Sequence, residues 1–176
     1  MFLLTLKPSL STIKPPHIGA ERIPQHVYKA LDAGGGIGRV TEAVLLPLCP
    51  RVDLVESSAH FLTAAKKSSP SWPGISSQTK GVRYFQCGMQ DFDPARLPPE
   101  FTSASGATSD FDGPYDVVWM QWAAGHLSDD QLVAFLVRMK AALRENTEEP
   151  SLIVLKENVV KTEKSMFDET DSTLVR

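Results

Sequence analysis

The sequence of 176 residues predicts an α/β fold, with one parallel sheet in a single domain. Short apolar segments of strand length alternate with segments of helical periodicity. A run of glycines joins the first strand-like segment to the first helical one, and Asp32 and Glu56 end the first two strand-like segments. Alternating strands and helices are typical of parallel sheets, which bind ligands at the carboxyl ends of their strands.

The region before the sheet, residues 1–27, is predicted to contain a short helix and a linker. Pro8 should interrupt the helix, and the proline-rich residues 11–25 should form the linker. Residues 28–176 are then expected to form the single domain. Four apolar residues share one face of the predicted helix: Phe2, Leu3, Leu6 and Leu10.

The glycine turn is the main indication of a ligand. An apolar run ends in Asp32, and Gly34, Gly36 and Gly38 follow before a helical pattern over 39–48. Glycine lets a backbone turn sharply and approach a ligand closely. A dinucleotide loop has the spacing G-x-G-x-x-G and directs a helix N-terminus at a pyrophosphate, which an acid at position 32 would repel. An acid suits a cationic amino-acid group or a ribose hydroxyl, so the spacing favours S-adenosylmethionine over NAD.

A second acid strengthens this interpretation. Glu56 ends the segment 51–56 and lies 18 residues after Gly38. An acid about 20 residues beyond such a loop is where a ribose diol is held. A glycine turn without a ligand remains the alternative, and the pair of acids favours the cofactor site.

The remaining elements follow from the same patterns. Further strands are predicted over 82–87, 115–120 and 151–155, which makes five with the first two. Ser57 or Ser58 should cap a helix that ends near 67, and Ser128 with Gln131 should form a capping box for a helix that ends near 144. Residues 92–114 are expected to be a mobile surface insertion, and residues 168–176 should begin another helix.

Composition excludes several other classes. The net charge of −3 gives no general attraction to nucleic acid. Cys49 and Cys87 have no metal-binding spacing, and they are expected to be packing residues in a reducing compartment. No metal-ligand pattern is present, and we expect neither an export signal nor a membrane span, because Lys7 and Pro8 end the apolar start. The expected location is cytosol or nucleus.

Two further segments follow predicted strand ends. Met89 and Gln90 could offer an apolar surface and a polar partner to an adenine, although Asp91 could simply cap a turn there. Trp122 offers a ring face for a cation, in the segment that also contains Gln121 and His126. A single His is more often a hydrogen-bonded neighbour of a helix cap than a catalyst.

An acidic cluster lies near the end of the sequence. Asp168, Glu169 and Asp171 would form a solvated face in most proteins. Opposite a pocket for a positively charged peptide N-terminus, the same acids would form a binding group.

Taken together, five segments resemble the eukaryotic alpha N-terminal protein methyltransferases. They are Leu31-Asp-Ala-Gly-Gly-Gly-Ile-Gly-Arg39, Cys87-Gly-Met-Gln-Asp-Phe92, Gln121-Trp-Ala-Ala-Gly-His126, Lys156-Glu-Asn158 and Asp168-x-x-Asp171-Ser. The resemblance runs from about residue 28 to residue 176. It implies a Rossmann-like, class I S-adenosylmethionine-dependent methyltransferase sheet that lacks its final strand pair, in a chain shortened at both ends.

The resemblance also implies roles for particular residues. Substrates would be proteins with an exposed X-Pro-Lys/Arg N-terminus, and Asp171 and His126 would accept the proton of the α-amine. The residues expected to hold the cofactor are Gly34, Arg39, Glu56, Met89, Gln90 and Gln121, with Asp32 and Gly36 added from the loop pattern. The residues expected to hold the substrate are Trp122, His126, Asn158, Asp168, Asp171 and Thr173.

Two alternatives remain at this point. The chain could be a catalytically weak or inactive protein of the same fold that binds a cofactor or a partner. It could also be an NAD-dependent reductase with an unusual loop.

Overall fold

The structure is a computed structural model that describes residues 2–11, 27–145, 149–160, 165–170 and 173–175. The strands of this part of the chain are β1 (Lys29–Ala33), β2 (Arg51–Glu56), β3 (Gly81–Gln86), β4 (Glu100–Gly106), β5 (Val117–Gln121), β6 (Leu152–Lys156), β7 (Met166–Asp168) and β8 (Thr173–Val175). The α-helices are α1 (Phe2–Leu6), α2 (Leu46–Leu48), α3 (Ala59–Ser68) and α4 (Asp129–Ala141). A π-helical turn, Thr41–Leu45, precedes α2, and three 3₁₀ turns cover Pro8–Leu10, Ser69–Ser71 and Ala124–His126.

The main sheet has the strand order β4-β3-β2-β1-β5-β6. Five strands are parallel, and only β4 is antiparallel to its neighbour β3. These five are the strands that the sequence predicts, with bounds that differ by no more than two residues. The chain builds β2 and β3 on one side of β1 and then β5 and β6 on the other. The crevice of a parallel sheet forms where the direction reverses, so the ligand site should lie between β1 and β5.

Both faces of the central strands are buried. Leu54 packs in a buried cluster with Leu45 and Leu62, from the two crossover helices on one face. Val55, its neighbour along β2, packs on the other face in a cluster that contains Phe135 of α4. Alternation of side chains along a strand explains this division. Burial on both faces explains why these strands have continuous apolar runs in the sequence.

A buried ionic cluster joins three strands beneath the site. Asp53 is fully buried, and its carboxylate lies 3.1 Å from the ammonium of Lys29 and 2.8 Å from the guanidinium of Arg83. The hydroxyl of Tyr115 donates to the same carboxylate at 2.7 Å. Burial raises the pKa of Tyr115 well above its ordinary value, and the adjacent Asp53 raises it further, so the phenol remains a donor. A buried charge needs such partners to offset its desolvation.

The prediction of a mobile insertion over 92–114 is wrong for the part that forms β4. This strand has a polar sequence without apolar alternation, because it lies at the sheet edge and is ordered mainly by its pairing with β3. Ser105 attaches the strand to the domain. Its hydroxyl contacts the hydroxyl of Tyr84 at 2.9 Å and that of Ser69 at 2.7 Å, and it accepts from the ammonium of Lys66 at 3.0 Å.

The helix predicted from residue 168 onward is also wrong. β7 and β8 pair there as an antiparallel hairpin. The side chain of Asp168 accepts a hydrogen bond from the N–H of Thr170 at 2.9 Å. Short polar side chains that bond to nearby backbone in this way favour turns over helices. The β-branched Thr173 and Val175 suit a strand.

Smaller differences concern the helices. The predicted first crossover helix, 39–48, contains the π-helical turn, in which the N–H of Leu46 donates to the carbonyl of Thr41. A wider turn leaves room for Pro47, whose ring would crowd the carbonyl four residues earlier in a regular α-helix. Ser58 caps α3, and the capping box of Ser128 and Gln131 is confirmed. α4 ends at Ala141, three residues before the predicted end.

The N-terminal helix is confirmed, and Pro8 begins a separate 3₁₀ turn after it. Leu3 and Leu10 are buried, whereas Phe2 and Leu6 are exposed, so only half of the predicted apolar face is covered. Most of the predicted linker, 11–25, lies outside the described residues. Within the described residues, no helix combines the length and apolar character that crossing a membrane requires.

Candidate active site

A cavity of about 1000 Å³ lies at the carboxyl ends of the parallel strands. This volume is at the upper end of the range for small-molecule sites. His126, Trp122 and Lys156 also line it. All the residues that the sequence predicts for cofactor binding lie on its wall: Asp32, Gly34, Gly36, Arg39, Glu56, Met89, Gln90 and Gln121.

The glycine turn forms the floor of this cavity. Gly34, Gly36 and Gly38 have φ angles of +70°, +57° and +85°, a left-handed region that side chains other than glycine rarely adopt. A Cβ at Gly38 would lie 2.3 Å from the indole of Trp72, so the helix start packs directly on that ring. A Cβ at Gly36 would meet no atom within 4 Å. Gly36 therefore leaves open space, and Gly38 provides a close contact.

Glu56 joins the glycine turn to the end of β2. One carboxylate oxygen accepts from the N–H of Gly36 at 3.0 Å. The other accepts from the N–H of Ser58 at 2.8 Å and from the hydroxyl of Ser57 at 3.2 Å. The carboxylate thus lies on the cavity wall with its position set by two loops.

Asp32 is buried. It lines the cavity, and it also binds the start of the first crossover helix. Its carboxylate accepts from the hydroxyl of Thr41 at 2.6 Å and from the N–H of the same residue at 3.0 Å. Burial raises the pKa of Asp32 to about 6, although the two hydrogen bonds from Thr41 lower it, and Glu56 adds a smaller upward contribution. This carboxyl can therefore exchange a proton in mildly acidic solution.

The turn after β3 is held by a residue that sequence reasoning misses. The guanidinium of Arg138, on α4, donates to the carbonyls of Gln90 at 2.7 Å, Phe92 at 3.2 Å and Met89 at 3.3 Å. Three backbone acceptors fix this turn beside the cavity. Helical spacing could have indicated Arg138, because it follows the buried Phe135 by three residues and so shares its face.

Trp122 lies between two cavities. A smaller cavity of about 230 Å³ adjoins the first, and Trp122 lines both. Asn158 and Thr173, predicted for substrate binding, line the smaller one. Asp168 is half-buried at the end of β7 and does not line either cavity. Asp171, the other predicted acid, lies outside the described residues.

The segment after β5 has a strained conformation. Trp122 has a φ of +55°, and the residue is 49% exposed. The carboxylate of Glu157 accepts hydrogen bonds from the next two backbone N–H groups, of Ala123 and Ala124. Sequence reasoning selects Asn158 and misses Glu157, because nothing local indicates that its carboxylate reaches a segment more than 30 residues away.

Within the described residues, no three His, Cys, Asp or Glu side chains form a group that could hold a metal ion.

A solved structure has a similar fold. A SAM-dependent methyltransferase from Leishmania major superposes with a TM-score of 0.62 at 30% identity, covering 89% of this chain and 52% of that one. Together with this similarity, the strand order, the glycine turn and the cavity place the chain in the class of the Rossmann-like methyltransferases.

The family follows from the sequence comparisons. A family model described as AdoMet dependent proline di-methyltransferase matches residues 11–176. N-terminal Xaa-Pro-Lys N-methyltransferase 1-B of Xenopus laevis is 40% identical over 147 residues, and the human N-terminal Xaa-Pro-Lys N-methyltransferase 1 is 40% identical over 148 residues. The chain belongs to the AdoMet-dependent proline di-methyltransferase family. The matched region covers 84% of this chain and 54% of each relative, so the chain spans about half the length of the curated relatives it matches.

Proposed function

We propose that this protein transfers a methyl group from S-adenosylmethionine to the α-amine of protein N-termini of the type X-Pro-Lys/Arg. The observation that carries the proposal is the position of Trp122 between two adjoining cavities of unequal size. The larger is suited to a nucleoside cofactor, and the smaller would accept the first residues of a peptide. The family membership and the names of the relatives support the same reaction.

The residues of the larger cavity fit the cofactor. Gly36 offers a surface that no side chain obstructs, and Glu56 places carboxylate oxygens at the end of β2 for the ribose hydroxyls. Met89 and Gln90 would contact the adenine, and Gln121 would contact the amino-acid part. S-adenosylmethionine supplies the methyl group when it is bound.

Arg39 would hold the carboxylate of the cofactor. It lines the larger cavity, and its guanidinium carbon lies 6.0 Å from the centre of the Trp122 ring. A guanidinium pairs with a carboxylate through two parallel hydrogen bonds, which fix orientation as well as charge.

The chain's own residues would prepare the amine. An α-amino group has a pKa of about 7.7–8.0, so a large fraction is protonated at neutral pH and must lose its proton. His126 is exposed and lines the larger cavity, and it is proposed with Asp171 to accept that proton. Proton transfer of this kind contributes roughly 10²–10⁴-fold, and correct placement of the amine can contribute more.

The smaller cavity would bind the start of the peptide. Trp122 would pack against the proline at the second position, and Asn158 would hold the N-terminus together with Asp171. Asp168 would attract the Lys or Arg at the third position. Leu155 and Leu174 line the same cavity and give it an apolar wall for a proline ring.

The test is transfer of label from tritiated S-adenosylmethionine to a synthetic peptide that begins Ser-Pro-Lys. Matched controls are the same peptide with an acetylated N-terminus and one with glutamine in place of the proline. We expect label only in the free Ser-Pro-Lys peptide. Absence of label there, or equal label in the acetylated peptide, would contradict the proposal.

Binding measurements separate the alternatives. Calorimetric titration with S-adenosylhomocysteine and with NAD distinguishes a methyltransferase site from a reductase site. Binding of S-adenosylhomocysteine without label transfer to any peptide would indicate a cofactor-binding protein without this activity. If the wild-type protein does transfer label, the variants His126→Gln and Asp171→Asn are compared with it at saturating peptide, and the one that loses more turnover is the main proton acceptor.

A further inference from the structure

The carboxylate of Glu157 lies in a nest of backbone N–H groups. It accepts from Ala123 N at 2.6 Å and from Ala124 N at 2.7 Å. Ala123 and Ala124 are 4% and 3% exposed, so water has little access to these two donors. Two charge-assisted hydrogen bonds to one oxygen fix the backbone more firmly than neutral acceptors would.

The neighbouring residue completes this attachment. The N–H of Trp122 donates to the carbonyl of Lys156 at 3.0 Å. Three successive N–H groups, from residues 122 to 124, are therefore bound by two successive residues at the end of β6. The left-handed conformation of Trp122 is unfavourable for a residue with a side chain. A strained conformation persists only where its surroundings determine it strongly, and here they do so through β6.

Two cations lie near the Trp122 ring. Its centre lies 5.1 Å from the ammonium of Lys156 and 6.0 Å from the guanidinium carbon of Arg39. Both cations line the larger cavity, and the ring lines both cavities. The backbone conformation at Trp122 therefore sets the position of the ring that lies between the two cavities.

The backbone segment that Glu157 holds also contacts the glycine turn. A Cβ at Gly34 would lie only 2.6 Å from the Cβ of Ala123, so these two residues are in close contact. A displacement of Ala123 would be transmitted to the floor of the larger cavity.

We infer that Glu157 is a positioning residue, which sets the backbone of residues 122–124 and thereby holds Trp122 between the two cavities. This inference rests on the proposed function for what the two cavities bind. The positioning itself is a property of the protein without ligands, and it can be measured without any turnover.

The direct test is acrylamide quenching of tryptophan fluorescence. Trp72 and Trp119 are 2% and 8% exposed, so quenching reports mainly on Trp122. The variants are Glu157→Ala, which removes the acceptor, and Glu157→Gln, which keeps an acceptor oxygen without the charge. Glu145→Gln is the control, because Glu145 is an exposed acid outside both cavities. Adding Trp122→Phe to each background gives the contribution of the other two rings.

We expect Glu157→Ala to raise the quenching constant of Trp122, and Glu157→Gln to raise it less, because the amide keeps an acceptor oxygen but not the charge. Peptide KM should rise about tenfold or more in Glu157→Ala, because the variant loses both hydrogen bonds to the carboxylate, with a smaller change in the affinity for S-adenosylhomocysteine. Unchanged quenching in Glu157→Ala would overturn the inference, and so would a Gln variant that behaves like the Ala variant.

If Glu157→Ala does not fold, Glu157→Asp replaces it. The shorter side chain draws the carboxylate back by one methylene, so it should raise the quenching constant while keeping the charge. Wild-type quenching in the Asp variant would overturn the inference. If the wild-type protein methylates no peptide, the proposed function fails, and quenching still decides the role of Glu157.

Discussion

Glu56 accepts a hydrogen bond from the backbone N–H of Gly36 at 3.0 Å, and this contact joins the end of one strand to the turn that follows another. The second oxygen of the carboxylate is used by Ser57 and Ser58. A ribose diol placed at this strand end would therefore meet a carboxylate whose position is already set. Pre-organisation of this kind lowers the cost of ordering the site on binding.

Glu56→Ala should weaken binding of S-adenosylhomocysteine by roughly 1.5–3 kcal/mol, the scale of hydrogen bonds to a charged group. Calorimetric titration measures the change. Glu42→Ala is the matched control, because Glu42 is an exposed acid in the adjoining helical turn and does not line the cavity. Equal affinities for wild type and Glu56→Ala would exclude Glu56 from the site.

Alanine substitutions at two glycines should separate stability from binding. Gly38→Ala places a Cβ against Trp72 and should lower the free energy of unfolding by about 2 kcal/mol or more. Gly36→Ala has a similar backbone cost of about 1–2 kcal/mol but no clash, so its main effect should be weaker cofactor binding. Urea unfolding and calorimetry on both variants test this. Equal losses of stability would show that the contact with Trp72 is easily relieved.

Asp32 should make stability depend on pH. Its pKa is about 6 in the folded protein and 3.8 ordinarily, so the folded state binds this proton more tightly than the unfolded chain does. The resulting stabilisation is present below pH 4 and is lost as the pH rises to about 6, with a total of about 3 kcal/mol.

The pH dependence of the wild-type free energy of unfolding is compared with that of Asp32→Asn, which keeps an oxygen acceptor for Thr41 and cannot titrate. Urea unfolding from pH 4 to pH 8 should show wild type losing stability relative to this variant as the pH rises. Parallel profiles would place the pKa of Asp32 near its ordinary value.

We expect Arg138 to strengthen cofactor binding, because it holds the turn after β3 in place. Arg138→Ala removes three hydrogen bonds to the carbonyls of that turn, and we expect several-fold weaker binding of S-adenosylhomocysteine, because Met89 and Gln90 lose their support. Lys140→Ala is the control on the same helix, since Lys140 is an exposed cation. Unchanged affinity in Arg138→Ala, or an equal loss in Lys140→Ala, would contradict this role.

The sequence alone determined the parallel sheet and the strand ends that form the larger cavity. Strands buried on both faces appear as continuous apolar runs, and the acids and glycines that end them are local features. Asp32, Glu56 and Gln121 could be placed at one edge because parallel strands end together, and the structure has them there. The resemblance added the family, which the comparisons confirm.

Only the tertiary structure decided which residues hold that edge in place. β4 has no apolar alternation, because its order comes from pairing with β3. Helical spacing can place Arg138 on the buried face of α4. It does not show which backbone groups Arg138 and Glu157 bind, because those groups lie more than 30 residues away in the chain. The left-handed conformation of Trp122 likewise depends on the end of β6 and not on its own side chain. Local patterns record burial, whereas the contacts that fix a site depend on the distances between elements after they have packed.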